Sequence, residues 1–126
     1  MSTREIPHGE WVEFFEGFSR QHEGWLANLE VFGSEIGAQT EAQNLQLQGI
    51  TVDPNGDTGE AIVIILGKSP DLHITHTISG PTRVRLEETA EGVHEALQIE
   101  TREGVTALVR FRTATLPELV DGVVVA

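Results

Sequence analysis

The fold is decided first by residues 8–21, which read HGEWVEFFEGFSRQ. Their large apolar side chains follow the i, i+3, i+4, i+7 spacing of one helical face: Trp11, Phe14, Phe15 and Phe18. Three glutamates occupy the opposite face: Glu10, Glu13 and Glu16. The sequence therefore predicts an amphipathic helix that begins after Pro7, whose missing N–H is harmless in a first turn, and ends at Gly24.

After Gly24 the apolar residues recur with a period of two, which is typical of strands that bury one face. They are Trp25, Ala27, Leu29 and Val31, then Leu45 and Leu47, then Ile50 and Val52. The alternation changes phase at Gly49, where we predict a β-bulge. Residues 60–67 are apolar at both parities and rich in β-branched side chains. This pattern predicts a central strand covered on both faces.

Four further strands are predicted at about residues 71–79, 82–88, 93–101 and 105–113, separated by short turns that contain glycine or proline. Connections this short favour an antiparallel meander. The predicted fold is therefore α+β, with an N-terminal amphipathic helix packed on a roughly seven-stranded antiparallel meander sheet. The pattern leaves open whether the sheet curls into a half-barrel. A chain of 126 residues without a linker-like stretch predicts one domain, residues 1–126.

The alternation also assigns residues of the last strands to the inner face, under the aromatic face of the helix. They are Ile74, His76, Ile78, Val84, Leu86, Leu97, Ile99, Ala107, Val109 and Phe111. A three-residue loop at residues 102–104, with Gly104 in the left-handed conformation, would pair Ile99 with Ala107 and Leu97 with Val109. Residues 115–118 read TLPE, a capping-box spacing that predicts one short helical turn.

Composition limits the possible partners. The chain has no cysteine, which excludes disulfides, thiol nucleophiles and thiolate metal sites. Its formal net charge of -12 repels nucleic acid and anionic lipid, so we expect neither as a partner. The N-terminal residues lack the apolar run of a signal peptide, and no apolar stretch is long enough to cross a bilayer. We therefore expect a cytoplasmic protein.

Several short stretches stand out besides this periodicity. They are residues 4–7, Trp11 with residues 14–15 and 18–20, His22, residues 24–25, residues 72–78, residues 110–112 and residues 116–118. Together they resemble an uncharacterised family of small bacterial proteins, a domain of unknown function, over almost the whole chain. The resemblance implies a free-standing bacterial protein, and it brings no catalytic or binding residues with it.

Two motif-like stretches fail as cofactor sites. Residues 53–59 place oxygen ligands as an EF-hand loop begins, but Thr58 stands where that loop needs glycine and Ile64 where it needs a bidentate glutamate. A hairpin loop is the better interpretation. Residues 67–69 read GKS like the end of a P-loop, but Ile62 replaces the required glycine and Pro70 follows where a helix should start. We expect no cofactor.

The histidines of the predicted sheet have to be judged separately. His76 falls on the inner face, either as a hydrogen-bonded core residue or as a polar anchor in a ligand cavity. His73 points the other way, and the predicted turns would set Glu87 between His73 and His94. Such a flat row of outward groups converges poorly on one ion, so a solvated polar row is favoured over a metal site.

The best candidates for a functional surface are four arginines at outward parity: Arg83, Arg85, Arg110 and Arg112. The predicted turns place Arg85 and Arg110 either side of Ala96. Cross-strand pairing with Glu87, Glu100 and nearby acidic residues is the favoured interpretation. The alternative is a local positive patch that binds an anionic small molecule or an acidic protein surface.

No catalytic motif is present, which favours a non-catalytic binding or protein-interaction module over an enzyme. The module would use the outer sheet face or an exposed strand edge. The alternative is a small-ligand-binding protein or enzyme with a cavity between helix and sheet. A solvent-accessible, cavity-lining His76 would favour that alternative, and a packed His76 the interaction module.

Apolar residues without an obvious core position predict self-association. They are Val63, Ile65 and Leu108 on the outer face and Val123, Val124 and Val125 in the tail. A homodimer would cover them, or the protein's own C-terminal segment would.

Overall fold

The computed structural model describes residues 2–33, 37–56, 59–69 and 72–112. Its elements are β1 (Ser2–Ile6), a 3-10 turn (His8–Glu10), α1 (Trp11–His22), β2 (Leu26–Gly33), β3 (Gly37–Gly56), β4 (Gly59–Ser69), β5 (Leu72–Ser79), β6 (Pro81–Glu88), β7 (His94–Thr101) and β8 (Thr106–Arg112). The predicted α+β class, one N-terminal helix on an antiparallel sheet, is confirmed. The sheet has eight described strands, one more than predicted. The additional strand is β1, which carries no periodic signal because only Ile6 in it is apolar.

Helix α1 follows its predicted pattern. Trp11, Phe15 and Phe18 are buried in the core, whereas Phe14 is half-buried at its border. The helix ends as predicted, because Gly24 takes a φ of 88°, a left-handed conformation that other residues rarely adopt. A side-chain bridge fastens the helix to β3, since the Ser19 hydroxyl accepts from the Ile50 N–H at 2.9 Å and donates to the Ile50 carbonyl at 3.1 Å.

The strand order is β1-β6-β7-β8-β2-β3-β4-β5, and all pairs are antiparallel. Two meanders, β2 to β5 and β6 to β8, are joined where β2 pairs with β8. The prediction that β4 is central is wrong, since β4 lies second from one edge. Its inner residues are buried, but Val63 and Ile65 on its other face are only half-buried. Apolar residues at both parities thus reflect burial, and they do not fix a strand's lateral position.

The connection at Gly80 departs from a simple meander. Strands β5 and β6 are separated by this single residue, yet they do not pair, and they lie near opposite ends of the strand order. The sheet must therefore curl until the end of β5 and the start of β6 lie side by side at Gly80. Here the Gly80 N–H donates to the Glu60 carbonyl at 3.3 Å, and the Arg102 N–H donates to the Gly80 carbonyl at 3.0 Å. In the described part of the chain no ladder joins β5 to β6 or β1, so the sheet is not closed into a barrel.

Local register agrees well with the sequence. The predicted pairs of Ile99 with Ala107 and Leu97 with Val109 are confirmed, and Gly104 has a φ of 84°. The predicted bulge appears as a register shift between Leu47 and Gly49. Gly56 pairs with Gly59 at the ends of the predicted hairpin loop, whose residues 57 and 58 lie outside the described residues. The predicted turn at residues 115–118 and the apolar tail at 123–125 lie outside the described residues.

The inner-face assignment holds for the buried members of the set, which are Ile78, Val84, Leu86, Leu97, Ile99, Ala107, Val109 and Phe111. Ile74 and His76 share the parity of Ile78 but lie farther along the edge strand β5. Ile74 is therefore 40% exposed, and His76 is half-buried.

Candidate functional site

A cavity of about 200 Å³ opens between β5 and the β7–β8 hairpin. His76 and Ile78 line it from β5, Val31 from β2, and Thr101, Glu103 and Ala107 from the hairpin. His76 is therefore half-buried and lines a cavity, which is the outcome that favours ligand binding. The cavity does not lie between helix and sheet, however, because no residue of α1 lines it.

The cavity is small and of mixed polarity. Typical small-molecule pockets measure about 300–1,000 Å³, whereas about 150 Å³ already holds a benzene-sized group. The space next to β5 therefore suits one side chain or a small fragment. Val31, Ile78 and Ala107 are buried aliphatic residues, while His76, Thr101 and Glu103 reach solvent. An apolar group with a polar end fits this lining best.

The cavity lies beside an edge of the sheet. Within the described ranges β5 pairs with β4 alone. The Gly80 N–H bonds to the Glu60 carbonyl, and hydrogen-bonded pairs alternate along an antiparallel ladder. His76 and Ile78 therefore bond to β4, whereas Thr75, Thr77 and Ser79 direct their backbone groups to the open edge. Residues 74–79 contain no lysine or proline, which commonly block edge strands.

The outer face of β3, β4 and β5 carries no charge over its middle rows. Thr51, Val63 and Thr77 are cross-strand neighbours in one row, and Ile65 and Thr75 lie in the next. We call these five residues the uncharged patch. In a protein with a net charge of -12, these five residues next to an open edge form a surface on which a second polypeptide meets no acidic side chain.

Two of the four arginines of the predicted surface lie beside carboxylates. The Arg85 guanidinium bonds to the Glu100 carboxylate, and its Nε lies 3.9 Å from Glu5 Oε1. Arg110 Nη2 lies 3.6 Å from Glu30 Oε1. Cross-strand pairing, the favoured interpretation, thus accounts for both arginines.

The other predicted partners differ. Arg83 is exposed opposite Glu100, and the Arg112 side chain lies outside the described residues. Glu87 accepts a hydrogen bond from the Gln98 amide.

The predicted position of Arg85 next to Ala96 is wrong. Arg110 does lie opposite Ala96, but Arg85 lies opposite Gln98. The β6–β7 connection differs from the predicted turn, because the Thr89 N–H donates to the Val93 carbonyl at 2.8 Å and a bulge follows Glu87. These two features shift the register.

The predicted row of His73, Glu87 and His94 is also wrong, since it requires β5 to pair with β6. His73 lies opposite Gly67 on β4, and His94 lies opposite Glu88. Among the residues that the structure describes, no cluster of three or more potential ligands is arranged to hold a metal ion.

A row of contacts from His22 through His94 to Glu88, which we call the histidine chain, was not predicted from the sequence. His22 is only 3% exposed, and its Nδ1–H donates to the Phe18 carbonyl at 2.7 Å. Its Nε2 lies 2.9 Å from His94 Nδ1, and His94 Nε2 lies 3.4 Å from Glu88 Oε2. Burial lowers the pKa of His22; the Phe18 carbonyl opposes this shift and His94 adds to it. The available signal was that His22, four residues after Phe18, continues the buried helical face.

The comparisons with known proteins agree with the resemblance seen in the sequence. Residues 2–119 match DUF5335, a family of unknown function. The chain belongs to this family. An uncharacterised protein of Aquifex aeolicus (strain VF5) is 30% identical over 119 residues, which cover 94% of this chain and all of the relative. No solved structure matches. Membership of DUF5335 confirms an uncharacterised family and leaves the function to be argued from the site.

In the described ranges of this DUF5335 protein, none of the helical structure is both long and apolar enough to span a bilayer.

Proposed function

We propose that the protein is a non-catalytic binding module that takes up an extended segment of a partner protein along β5. The observation that carries this proposal is that one strand supplies both parts of a peptide site. Residues 75, 77 and 79 present backbone groups to the open edge, and residues 76 and 78 line the adjoining cavity.

Strand addition divides the work between backbone and side chains. Main-chain hydrogen bonds to the open edge supply affinity, and pockets for alternate side chains supply specificity. A segment paired with β5 would direct one side chain toward the cavity. The next would lie over Thr75 and Thr77 of the uncharged patch. Because Glu103 borders the cavity and the chain is strongly acidic, the partner segment is neutral or basic, with an aliphatic or small aromatic side chain at the cavity position.

The experiment uses a substitution at Thr77, which lies on the open edge and also borders the cavity, so a control variant must remove the same side chain. Thr77→Pro removes an N–H that points away from β4, so the ladder to β4 is kept. Thr77→Ala is the matched control, since it removes the same side chain and keeps the N–H. Peptides selected from a random display library against the parent protein should bind Thr77→Pro at least about tenfold more weakly and Thr77→Ala nearly unchanged, a difference of about 1.4 kcal/mol. They should also protect the Thr75 and Thr77 amides from hydrogen exchange.

Equal affinity for the parent and for Thr77→Pro would reject strand addition. A second function, small-ligand binding, is favoured specifically by His76 at the cavity wall. It predicts a compound whose binding is lost in His76→Ala while the amides of the β5 edge continue to exchange. The two candidates are thus separated by the same exchange measurement.

A further inference from the structure

The histidine chain connects residues of four elements, α1, β7, β6 and β1. His22 ends α1, His94 begins β7, Glu88 ends β6, and Arg4 of β1 places its Nε 3.9 Å from Glu88 Oε1. Aromatic rings enclose His22, with ring centroids 3.9 Å away for Phe18, 4.5 Å for Trp25 and 5.6 Å for Phe111. Among the described side chains, the charged groups with an ion-pair contact to this pair of imidazoles are Glu88 from β6 and, behind it, Arg4 from β1.

The number of protons in this chain follows from its two ends. The Phe18 carbonyl can only accept, so His22 carries its proton on Nδ1, and Nε2 of a neutral His22 must accept. His94 then donates from Nδ1. A neutral His94 has no second proton, so its bare Nε2 would face the Glu88 carboxylate. Every contact in the chain is satisfied only when the two rings together hold one proton more than two neutral imidazoles carry.

The extra proton belongs on His94. Its ring is nearer to solvent than that of His22, with a side chain 21% exposed, and it lies beside the carboxylate that compensates its charge. Protonating His22 as well would set its Nε2–H against the His94 Nδ1–H across 2.9 Å. The pair of His22 and His94 therefore accepts one proton beyond its neutral form, and a second proton would set two N–H groups against each other.

We propose that His22 and His94 form a proton-dependent latch, in which a single proton on His94 joins the end of α1 to Glu88 of β6. Without that proton the contact between His94 and Glu88 is repulsive, and the helix end is held less firmly. With a second proton, on His22, the contact between the two rings is lost. The latch is separate from the β5 site and does not depend on it.

The first test is NMR of the imidazole nitrogens in the full chain, labelled at histidine, between about pH 8.5 and 5, the range in which histidine changes charge. His22 should keep the neutral Nδ1–H signature while His94 gains its second N–H. Glu88→Gln should reduce the doubly protonated fraction of His94 relative to the parent protein at the same pH. Glu87→Gln is the matched control, because it removes a neighbouring carboxylate on the outer face. The site is rejected if His22 gains the second proton first, or if the two glutamate variants behave alike.

The second test asks whether proton uptake acts on the helix end. The Trp25 N–H donates to the His22 carbonyl at 3.0 Å and therefore reports on this end. After correction for the intrinsic exchange rate, its protection from hydrogen exchange should be several-fold higher at about pH 6.5 than at about pH 8.5. His94→Gln should abolish that difference. Protection that is independent of pH in the parent protein would overturn the latch.

Discussion

The inner face of the sheet has two unequal parts. Over β3, helix α1 is fastened by Ser19, and its aromatic residues fill the space above the sheet with buried rings. Along β5, the same face holds half-buried His76, exposed Ile74 and a cavity. A helix of 12 residues is about 18 Å long, which is too short to cover eight strands spaced about 4.8 Å apart. The part left uncovered is where the protein has room to bind something.

The outer face shows a related contrast. On the strands near β1, arginines meet glutamates across the sheet, as Arg85 does with Glu100. On β3 to β5 the uncharged patch needs no such partners. A charged surface that is already paired offers less to a new ligand than an uncharged one beside an open edge. We therefore expect the binding surface at β5 and not at the arginines.

The largest expected effect is on stability. Phe18→Ala should cost about 3–5 kcal/mol of unfolding free energy, because it removes a buried ring from the covered part. Phe14→Ala should cost less, since this ring is half-buried. Ile74→Ala, in the open part, should cost below about 1 kcal/mol. Urea unfolding measures all three, and a loss below about 1 kcal/mol for Phe18→Ala would mean that α1 does not hold the core together.

Self-association is expected to involve the apolar residues of the outer face and not its charged residues. We predict a homodimer through Val63 and Ile65, because both are apolar and only half-buried on the outer face, and neither has a charged cross-strand neighbour. Sedimentation at high protein concentration should give the mass of two chains for the parent and of one chain for Ile65→Lys. Arg83→Glu, on the charged part, is the control and should stay dimeric. A monomeric parent protein would contradict this prediction.

Acid should lower the free energy of unfolding through His22, which is buried at the end of α1. Its folded pKa lies below the ordinary value, so the unfolded chain binds the proton more readily. The stability that neutral His22 contributes is complete above about pH 6.5 and is lost as the pH falls through the lowered folded value, by at most about 1.4 kcal/mol per pH unit. Unfolding between about pH 7.5 and 5 should therefore show a smaller acid loss in His22→Gln than in the parent. An identical loss in both proteins would show that His22 does not titrate in this way.

The smallest effect concerns the arginines. The double variant Arg85→Ala, Arg110→Ala should keep its fold and lose no more than about 1 kcal/mol for each pair, because partly exposed ion pairs contribute little. Phosphate at millimolar concentration serves as the anion probe. If phosphate raises the melting temperature of the parent and not of the double variant, these arginines bind anions, and pairing with glutamate is not their only role.

Much of the fold could be predicted because local geometry leaves its period in the sequence. Phe15 and Phe18 mark the helix face, and Gly104 marks the loop that sets the register of Ile99 with Ala107. The edge position of β5 could not be predicted in this way. A one-residue connection at Gly80 normally indicates a hairpin. The pairing of β2 with β8 joins the two meanders instead, and this leaves β5 at the edge, far from β6 in the strand order.

The candidate site divides in the same manner. His76 could be chosen from its parity, but its cavity depends on the β7–β8 hairpin meeting β5, which follows from the curl of the sheet. The contact of His22 with His94 spans 72 residues and depends on where the helix ends above β7. Neither contact has a local signal.

The sequence by itself determined which residues form the helix, where most of the strands run and which face of each is apolar, because these properties depend on neighbours a few positions away. The tertiary structure decided the order of the strands, the open edge of β5 and the histidine chain. These depend on which distant segments bury their apolar faces together, and that outcome is a property of the whole packed chain.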